Sequence, residues 1–379
     1  MNVDKIREDF SVLNKGIRYF DSACMSLRPK QVVNKITEYY NEYPACAGRS
    51  THKLGNMVSD EVNSSRRLIK NFIGAKKDSE IIFTKNATEG INLLANSFNG
   101  EKVLLTDREH NSNLVPWQKF KQGILRSNED YSFNLEKFSE GVRNYELVSF
   151  VATSNLDGYT LPIKEIVKIA HENNVKVHLD GAQHVPHNEI NVKKLDLDYL
   201  SFSGHKMLGP SGTGVFYAKE ELLKNMKQFI IGGETVINST YNDFVMEKLP
   251  HKFEGGLQNY AGIIGLGAAV KYLSKIGMSD IHDHEIKLRN AVDVSGLKLI
   301  GNNSGSIANF NVPGVNYHEV ATILDTSDNI MIRSGRHCVH SWYNAQNIEG
   351  SARASFYLYN TLDEVQVLNE ALNKLKKLM

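Results

Sequence analysis

The chain has 379 residues, 41% of them hydrophobic and 23% charged. That is room for about two domains and an ordinary globular composition, which excludes wholesale disorder, collagen and coiled coil. Lys plus Arg (44) and Asp plus Glu (43) leave a net charge of +1, so no general field draws in nucleic acid or an anionic membrane.

The first residues, MNVDKIREDFSVL, alternate in charge and hold no signal-peptide core. No apolar stretch approaches the roughly 20 residues of a membrane span. The three cysteines, Cys24, Cys46 and Cys338, are odd in number and far apart. They fit a reducing compartment better than a disulfide framework, and a soluble cytoplasmic protein is expected.

In chain order, EIIFT (80–84) predicts a strand and EGINLLANSF (89–98) a helix. KVLLTD (102–107) and ELVSFVATSN (146–155) predict strands, and IKEIVKIAHENN (163–174) an amphipathic helix. VKVHLDGAQ (175–183), DYLSFSGH (198–205) and GVFYA (214–218) predict three more strands. Strand–helix alternation with near-continuous apolar strands predicts a mostly parallel sheet covered on both faces, an α/β fold. Near residue 275 the pattern changes. SIANFNV (306–312), NIMIRSG (329–335) and RASFYLY (353–359) predict short strands. HEVATILD (318–325) and LDEVQVLNEALNKLKKL (362–378) predict helices. A small α+β unit is therefore expected at the C-terminal end.

Ligands of such sheets sit at the carboxyl ends of the strands. The polar residues cluster there: Thr84 to Thr88, Asp107 to Asn113, Asn155, Asp180 with Gln183, and Ser203 to Lys206. Lys206, just past a strand, could be a desolvated Schiff-base amine; a surface loop lysine is the ordinary alternative. Asp180 ends the preceding strand, where a carboxylate could hold a heterocyclic nitrogen protonated or simply cap a helix. Asn86, Ala87 and Thr88 mark a strand-to-helix turn suited to a phosphate, though Thr88 could serve only as a cap. GPSGTG (209–214) lacks the ending of a nucleotide-binding loop and reads as a turn. His110 could stack on a flat cofactor. Cys338 lies among Arg333, Arg336, His337 and His340, and positive neighbours favour thiolate. Cys24 and Cys46 read as passive thiols. A metal site at His337, Cys338 and His340 lacks a second ligand pair. Arg353 could bind a carboxylate or form a structural ion pair.

Together these stretches resemble the PLP-dependent cysteine desulfurases, in particular the group II, SUF-type branch of the class V aminotransferase family. The similarity runs from YFDSACMS (19–26) to YNTLDEV (359–365). SGHKMLGPSGTG resembles the family's lysine motif, HLDGAQ its cofactor-aspartate motif and REHNSNLVPWQ its stacking-histidine motif. RSGRHC with RASFYLYNT resembles the catalytic-cysteine loop and its arginine. The resemblance implies the aspartate-aminotransferase type fold. A large PLP-binding domain at 16–275 would join a small C-terminal domain at 276–379, with residues 1–15 packing on it. The implied cofactor is pyridoxal 5'-phosphate and the substrate L-cysteine, with a sulfur-acceptor protein or thiol. Lys206 would form the Schiff base, Asp180 would pair with the pyridine nitrogen, Gln183 with the phenolic oxygen, and His110 would stack on the ring. Thr88, Ser203, His205 and the Ala87 amide would hold the phosphate. Asn155 and Arg353 would position the substrate carboxylate, and Cys338 would take the sulfur. Arg49 matches an arginine that reaches the partner subunit's site, which implies a homodimer.

Three positions depart from the pattern. Ala87 replaces the first of two threonines, Gly256-Leu257 stands where the family has Gly-Thr, and Arg336 replaces a histidine beside the cysteine loop. Sister readings are a selenocysteine lyase, an epimerase or a kynureninase-like hydrolase. A non-catalytic adaptor would lack Lys206, and a nucleotide-dependent enzyme is disfavoured by the incomplete phosphate loop.

Overall fold

Seven short strands, six of them largely apolar, build the main sheet of the computed structural model, which describes residues 1–302 and 304–377. They are β1 (Ile81–Thr84), β2 (Lys102–Thr106), β3 (Lys121–Leu125), β4 (Leu147–Val151), β5 (Lys176–Asp180), β6 (Tyr199–Ser203) and β7 (Gly214–Ala218). The strand order is β1-β7-β6-β5-β4-β2-β3. Only β7 runs against its neighbours β1 and β6; the other pairings are parallel. The expectation of a mostly parallel sheet holds.

Residues along β4, β6 and β7 are all buried, as a sheet covered on both faces requires. Alternate side chains enter opposite cores. Val148, Phe150, Leu200, Phe202 and Val215 face one core, and Leu147, Tyr199 and Phe216 face the other. Helix α3 (Ala87–Ser97) covers the second face with Ile91, Leu94 and Ala95. On the first face, α4 (Ile163–Glu172) buries Ile163, Ile166, Val167 and Ala170, a three-and-four spacing that aligns them on one stripe. Helices α1 (Lys30–Glu42) and α2 (Lys53–Ile73) pack on α5 (Tyr260–Ile276).

A second sheet has order β8-β9-β11-β10, from β8 (Lys298–Leu299), β9 (Ile307–Asn311), β10 (Arg333–Gly335) and β11 (Ser351–Ser355). Its own apolar cluster joins Phe310, Ala352 and Ala354 to Val320 and Leu324 of α7 (Tyr317–Asp328) and to Leu368 and Leu372 of α8 (Leu362–Lys377). Residue 378 of the predicted terminal helix lies outside the described residues. Helix α6 (Met278–Asn290) places Ile281 in the large cluster and Leu288 in the small one. Residues 1–15 touch both parts. Phe10 and Leu13 join the large cluster, and Arg7 pairs with Glu364 at 2.9 Å.

Several strand expectations change: ELVSFVATSN stops at Val151 and VKVHLDGAQ at Asp180. NIMIRSG divides at Ile332, because Ile330–Met331 pairs with Arg18–Tyr19 while β10 pairs with β11. RASFYLY stops at Ser355. Beyond it the chain turns, with Tyr357 N–H donating to Asn360 Oδ1 at 2.9 Å.

Candidate active site

The carboxyl ends of β5 and β6 lie side by side, with Asp180 in register with Ser201. After β6 the chain makes a tight 3-10 turn, Gly204–Lys206, and Lys206 lines one cavity with Asp180 and Gln183. Its Nζ reaches Gln183 Oε1 at 3.5 Å. Burial lowers the Lys206 pKa, opposed by the Asp180 charge. Burial raises that of Asp180, opposed by the Ala182 N–H, which donates to Oδ1 at 3.0 Å, and by Lys206. No helix follows Asp180, so its carboxylate caps a turn and not a helix.

At the start of α3, Asn86 is the cap and accepts from Glu89 N–H at 3.0 Å. Thr88 is free of that duty, and its hydroxyl meets Ser112 Oγ at 2.7 Å. The Ala87 amide, expected to serve a phosphate, donates to Ser203 Oγ at 2.9 Å. The Ser203 hydroxyl proton is then the donor left for an anion. His205 is depressed to about 4 by burial, with Lys206 and Arg28 adding to it. His110 accepts from Ser112 N–H through Nδ1 at 3.1 Å, so its neutral ring carries its proton on Nε2. Burial, Lys206 and Arg353 depress it to about 3.

Arg353 lies mid-strand in β11, between Asn309 and Arg333, and not at a strand start as expected. Its Nη1 donates to the Asn155 carbonyl at 2.7 Å and its Nη2 lies 3.4 Å from Asp21 Oδ1. Nε is buried without a partner. The Nε–Nη2 edge is therefore the fork available to a carboxylate.

Cys338 follows β10 on a loop in which His337 and Cys338 both have left-handed backbone, φ 50° and 60°. The positive setting expected around it is narrower in the structure. Burial holds His337 well below its usual pKa, so it is neutral. Arg336 turns away to the Glu349 carbonyl and Asn344 Oδ1, each at 2.9 Å. Arg333 remains at the cavity, with Nη1 on Cys24 Sγ.

One cavity of about 280 Å³ gathers Ala87, Thr88, His110, Asn155, Asp180 and Gln183. Ser203, His205, Lys206, Cys338 and Arg353 line it too. Arg49 is elsewhere. It is exposed, and its Nη2 donates to the Val236 carbonyl at 3.0 Å. Leu257 is 72% exposed. Sequence reasoning missed Cys24 and counted it passive, yet it lines the cavity. The bridge from Asp21 to Ser355 on β11, the Ala23 N–H to Ser355 Oγ at 2.9 Å and the Arg333 contact bring it there. A more open cavity of about 850 Å³ beside α1, α2 and α5 has Lys35 paired to Glu61 and Asp9 to Tyr272, and holds none of these residues. Among the described residues no three His, Cys, Asp or Glu side chains group as a metal site, and no helix is long and apolar enough to cross a membrane.

The class-V aminotransferase profile matches residues 18–368. The chain belongs to the class-V aminotransferase family. A probable cysteine desulfurase of Synechocystis sp. is 38% identical, over 97% of this chain and 94% of that one. One of Halalkalibacterium halodurans is 36% identical over 100% and 98%. Among solved structures, a cysteine desulfurase of Thermococcus onnurineus NA1 superposes with TM-score 0.95 and 35% identity, covering 100% of this chain and 99% of that one. The cysteine desulfurase CsdA of Escherichia coli does so at 0.93 and 28%, with the same coverage. The class-V aminotransferase fold is PLP-dependent, and the cavity fits that group. It offers a buried amine, a buried carboxylate, an imidazole and a helix N-terminus with hydroxyls, and its Arg353 Nε and Asn155 Oδ1 are buried without partners.

Proposed function

We propose that the chain is a PLP-dependent cysteine desulfurase of the group II type. It converts L-cysteine to L-alanine and carries the sulfur away as a persulfide on Cys338. The observation that carries this reading is the sharing of one cavity by Lys206, Asp180, Arg353 and Cys338.

Lys206, Asp180, Gln183 and His110 would hold the cofactor's reactive end, and Thr88, Ser203 and His205 its phosphate. When bound, PLP supplies an electron sink for bonds broken at the substrate. The Arg353 fork, with the second N–H of Asn155 Nδ2, binds the substrate carboxylate. The desolvated Lys206 amine moves the proton at the substrate Cα. The Cys338 sulfur attacks the substrate sulfur, the carbon–sulfur bond breaks, and the bonding pair returns to carbon. A thiol or acceptor protein then takes the outer sulfur, and iron–sulfur cluster assembly is one use for it.

The reading includes a large domain at 16–275 and a small one at 276–379, supported by the separate apolar clusters. It also includes a homodimer. Exposed Ile231, Ile237, Phe244, Val245 and Leu257 suit burial against a second copy, and Arg49 beside Val236 would then reach the partner subunit's site. A cytoplasmic location matches the free cysteines.

The test is turnover of L-cysteine with a reductant, quantifying alanine and sulfide together. Equimolar products support the reading; loss of cysteine without alanine contradicts it.

A further inference from the structure

Behind Gln183 runs a buried chain of polar contacts that the proposed chemistry does not use. Gln183 Nε2 lies 3.1 Å from His187 Nε2. His187 Nδ1 lies 2.9 Å from Glu285 Oε1. Glu285 sits on α6, the helix that joins the two apolar clusters. It is 0% exposed, and its Oε2 has no partner. The His187 ring is held edge-on to Tyr357, 4.7 Å between centroids, and Tyr357 Oη donates to the Pro186 carbonyl at 2.9 Å.

The proton arrangement follows from the Lys206 end. Lys206 Nζ donates to Gln183 Oε1, the amide atom that faces it. The Gln183 amide nitrogen must then face His187 and donate to it. His187 Nε2 is therefore the bare acceptor, and the ring proton is on Nδ1. That proton needs a buried acceptor, which Glu285 Oε1 supplies. With no acceptor at position 285, the other tautomer becomes available. Nε2–H would then face Gln183, and the amide would reverse to present Oε1 to it. Lys206 would then face the amide nitrogen in place of Oε1.

We propose that Glu285 and His187 are positioning residues that fix the Gln183 amide, so that its second N–H donates to the phenolic oxygen of bound PLP. This rests on the PLP reading of the cavity. It also ties the orientation of a cavity group to α6.

The experiment compares Glu285→Leu and Glu285→Gln with the unaltered protein, each loaded with PLP at one fixed pH. The carboxamide of Glu285→Gln still offers an acceptor to Nδ1–H. That variant should keep the visible absorption band and the PLP affinity. Glu285→Leu should move absorbance from the visible band to the near-ultraviolet and raise the PLP dissociation constant roughly fivefold, the worth of one hydrogen bond. A third measurement needs no cofactor. Nitrogen-15 shifts of His187 in the unaltered apoprotein should show Nδ1 protonated and Nε2 bare. An unchanged spectrum and affinity in Glu285→Leu would overturn the proposal, as would equal losses in both variants or a proton on Nε2 in the unaltered protein. If the unaltered protein takes up no PLP, the functional reading falls by itself, and the His187 tautomer still decides the relay.

Discussion

Asn155 Nδ2 donates to the backbone carbonyl of His337 at 2.7 Å, which ties the region past β4 to the loop that carries Cys338. A second tie comes from Asn111, whose N–H donates to the Cys338 carbonyl at 2.8 Å. The Cys338 loop holds two left-handed residues, a conformation that neighbours must impose on side chains with a Cβ.

Asn155→Ala removes one of those ties and leaves a buried carbonyl unpaired, at a cost of about 1–3 kcal/mol. Amide exchange in residues 335–340 should quicken, and sulfur transfer to Cys338 should slow by at least roughly tenfold. PLP uptake should be little changed. Unaltered exchange in the loop would show that Asn155 does not restrain it.

Arg353→Lys keeps a positive charge but removes the planar Nε–Nη2 edge. The apparent affinity for L-cysteine should fall by about 2–3 kcal/mol, the worth of a charge-assisted pair. PLP affinity should change much less. Titration of the cofactor spectrum with cysteine measures both. Equal loss of the two affinities would mean that Arg353 serves the fold and not the carboxylate.

Lys206→Ala should slow turnover by roughly 10²–10⁴-fold or more, since both the amine that holds the cofactor and the proton carrier at Cα are gone. Borohydride reduction of the unaltered protein with PLP should label the peptide containing Lys206. A label on another lysine would refute the assignment.

A prediction about stability concerns Arg66 and Glu254, buried together with Nη1–Oε1 at 2.8 Å and Nη2–Oε2 at 2.9 Å. Glu254 also accepts from Phe83 N–H at 2.8 Å, which fixes β1. Burial pushes the Glu254 carboxyl up, but Arg66, His251 and Phe83 outweigh that and hold it at about 2, against an ordinary 4.5. A carboxylate depressed in the folded state stabilises above its unfolded pKa. That contribution is lost as pH falls from about 4.5 to about 2. Glu254→Gln removes the buried guanidinium's counter-charge and should cost about 3–5 kcal/mol at neutral pH. The gap to the unaltered protein should narrow in denaturant titrations at successively lower pH; a gap independent of pH would exclude the charge as its source.

How much of this was legible in the sequence depended on local signals. Strands β4, β6 and β7 are buried on both faces and show as near-continuous apolar runs. Strand β3 was missed because KQGIL is an edge strand, mostly exposed, with no apolar pattern to read. The cavity residues at β5, β6 and the start of α3 were legible because each ends or closely follows a strand. Cys24 was not, since the Asp21–Ser355 bridge spans most of the chain and leaves no local mark. Nor was the Glu285–His187 pair, whose partners are 98 residues apart. The division of NIMIRSG at Ile332 likewise depends on which distant strands it meets.

The account turns on Cys338 as the sulfur acceptor, and peptide mass after brief exposure of the PLP-loaded protein to L-cysteine measures that directly. The unaltered protein should gain one sulfur atom on the peptide carrying Cys338. Cys338→Ser should still bind PLP and L-cysteine, but it should gain no sulfur there and form alanine only at background. Sulfur found first on Cys24 or Cys46, or full alanine formation by Cys338→Ser, would contradict the account.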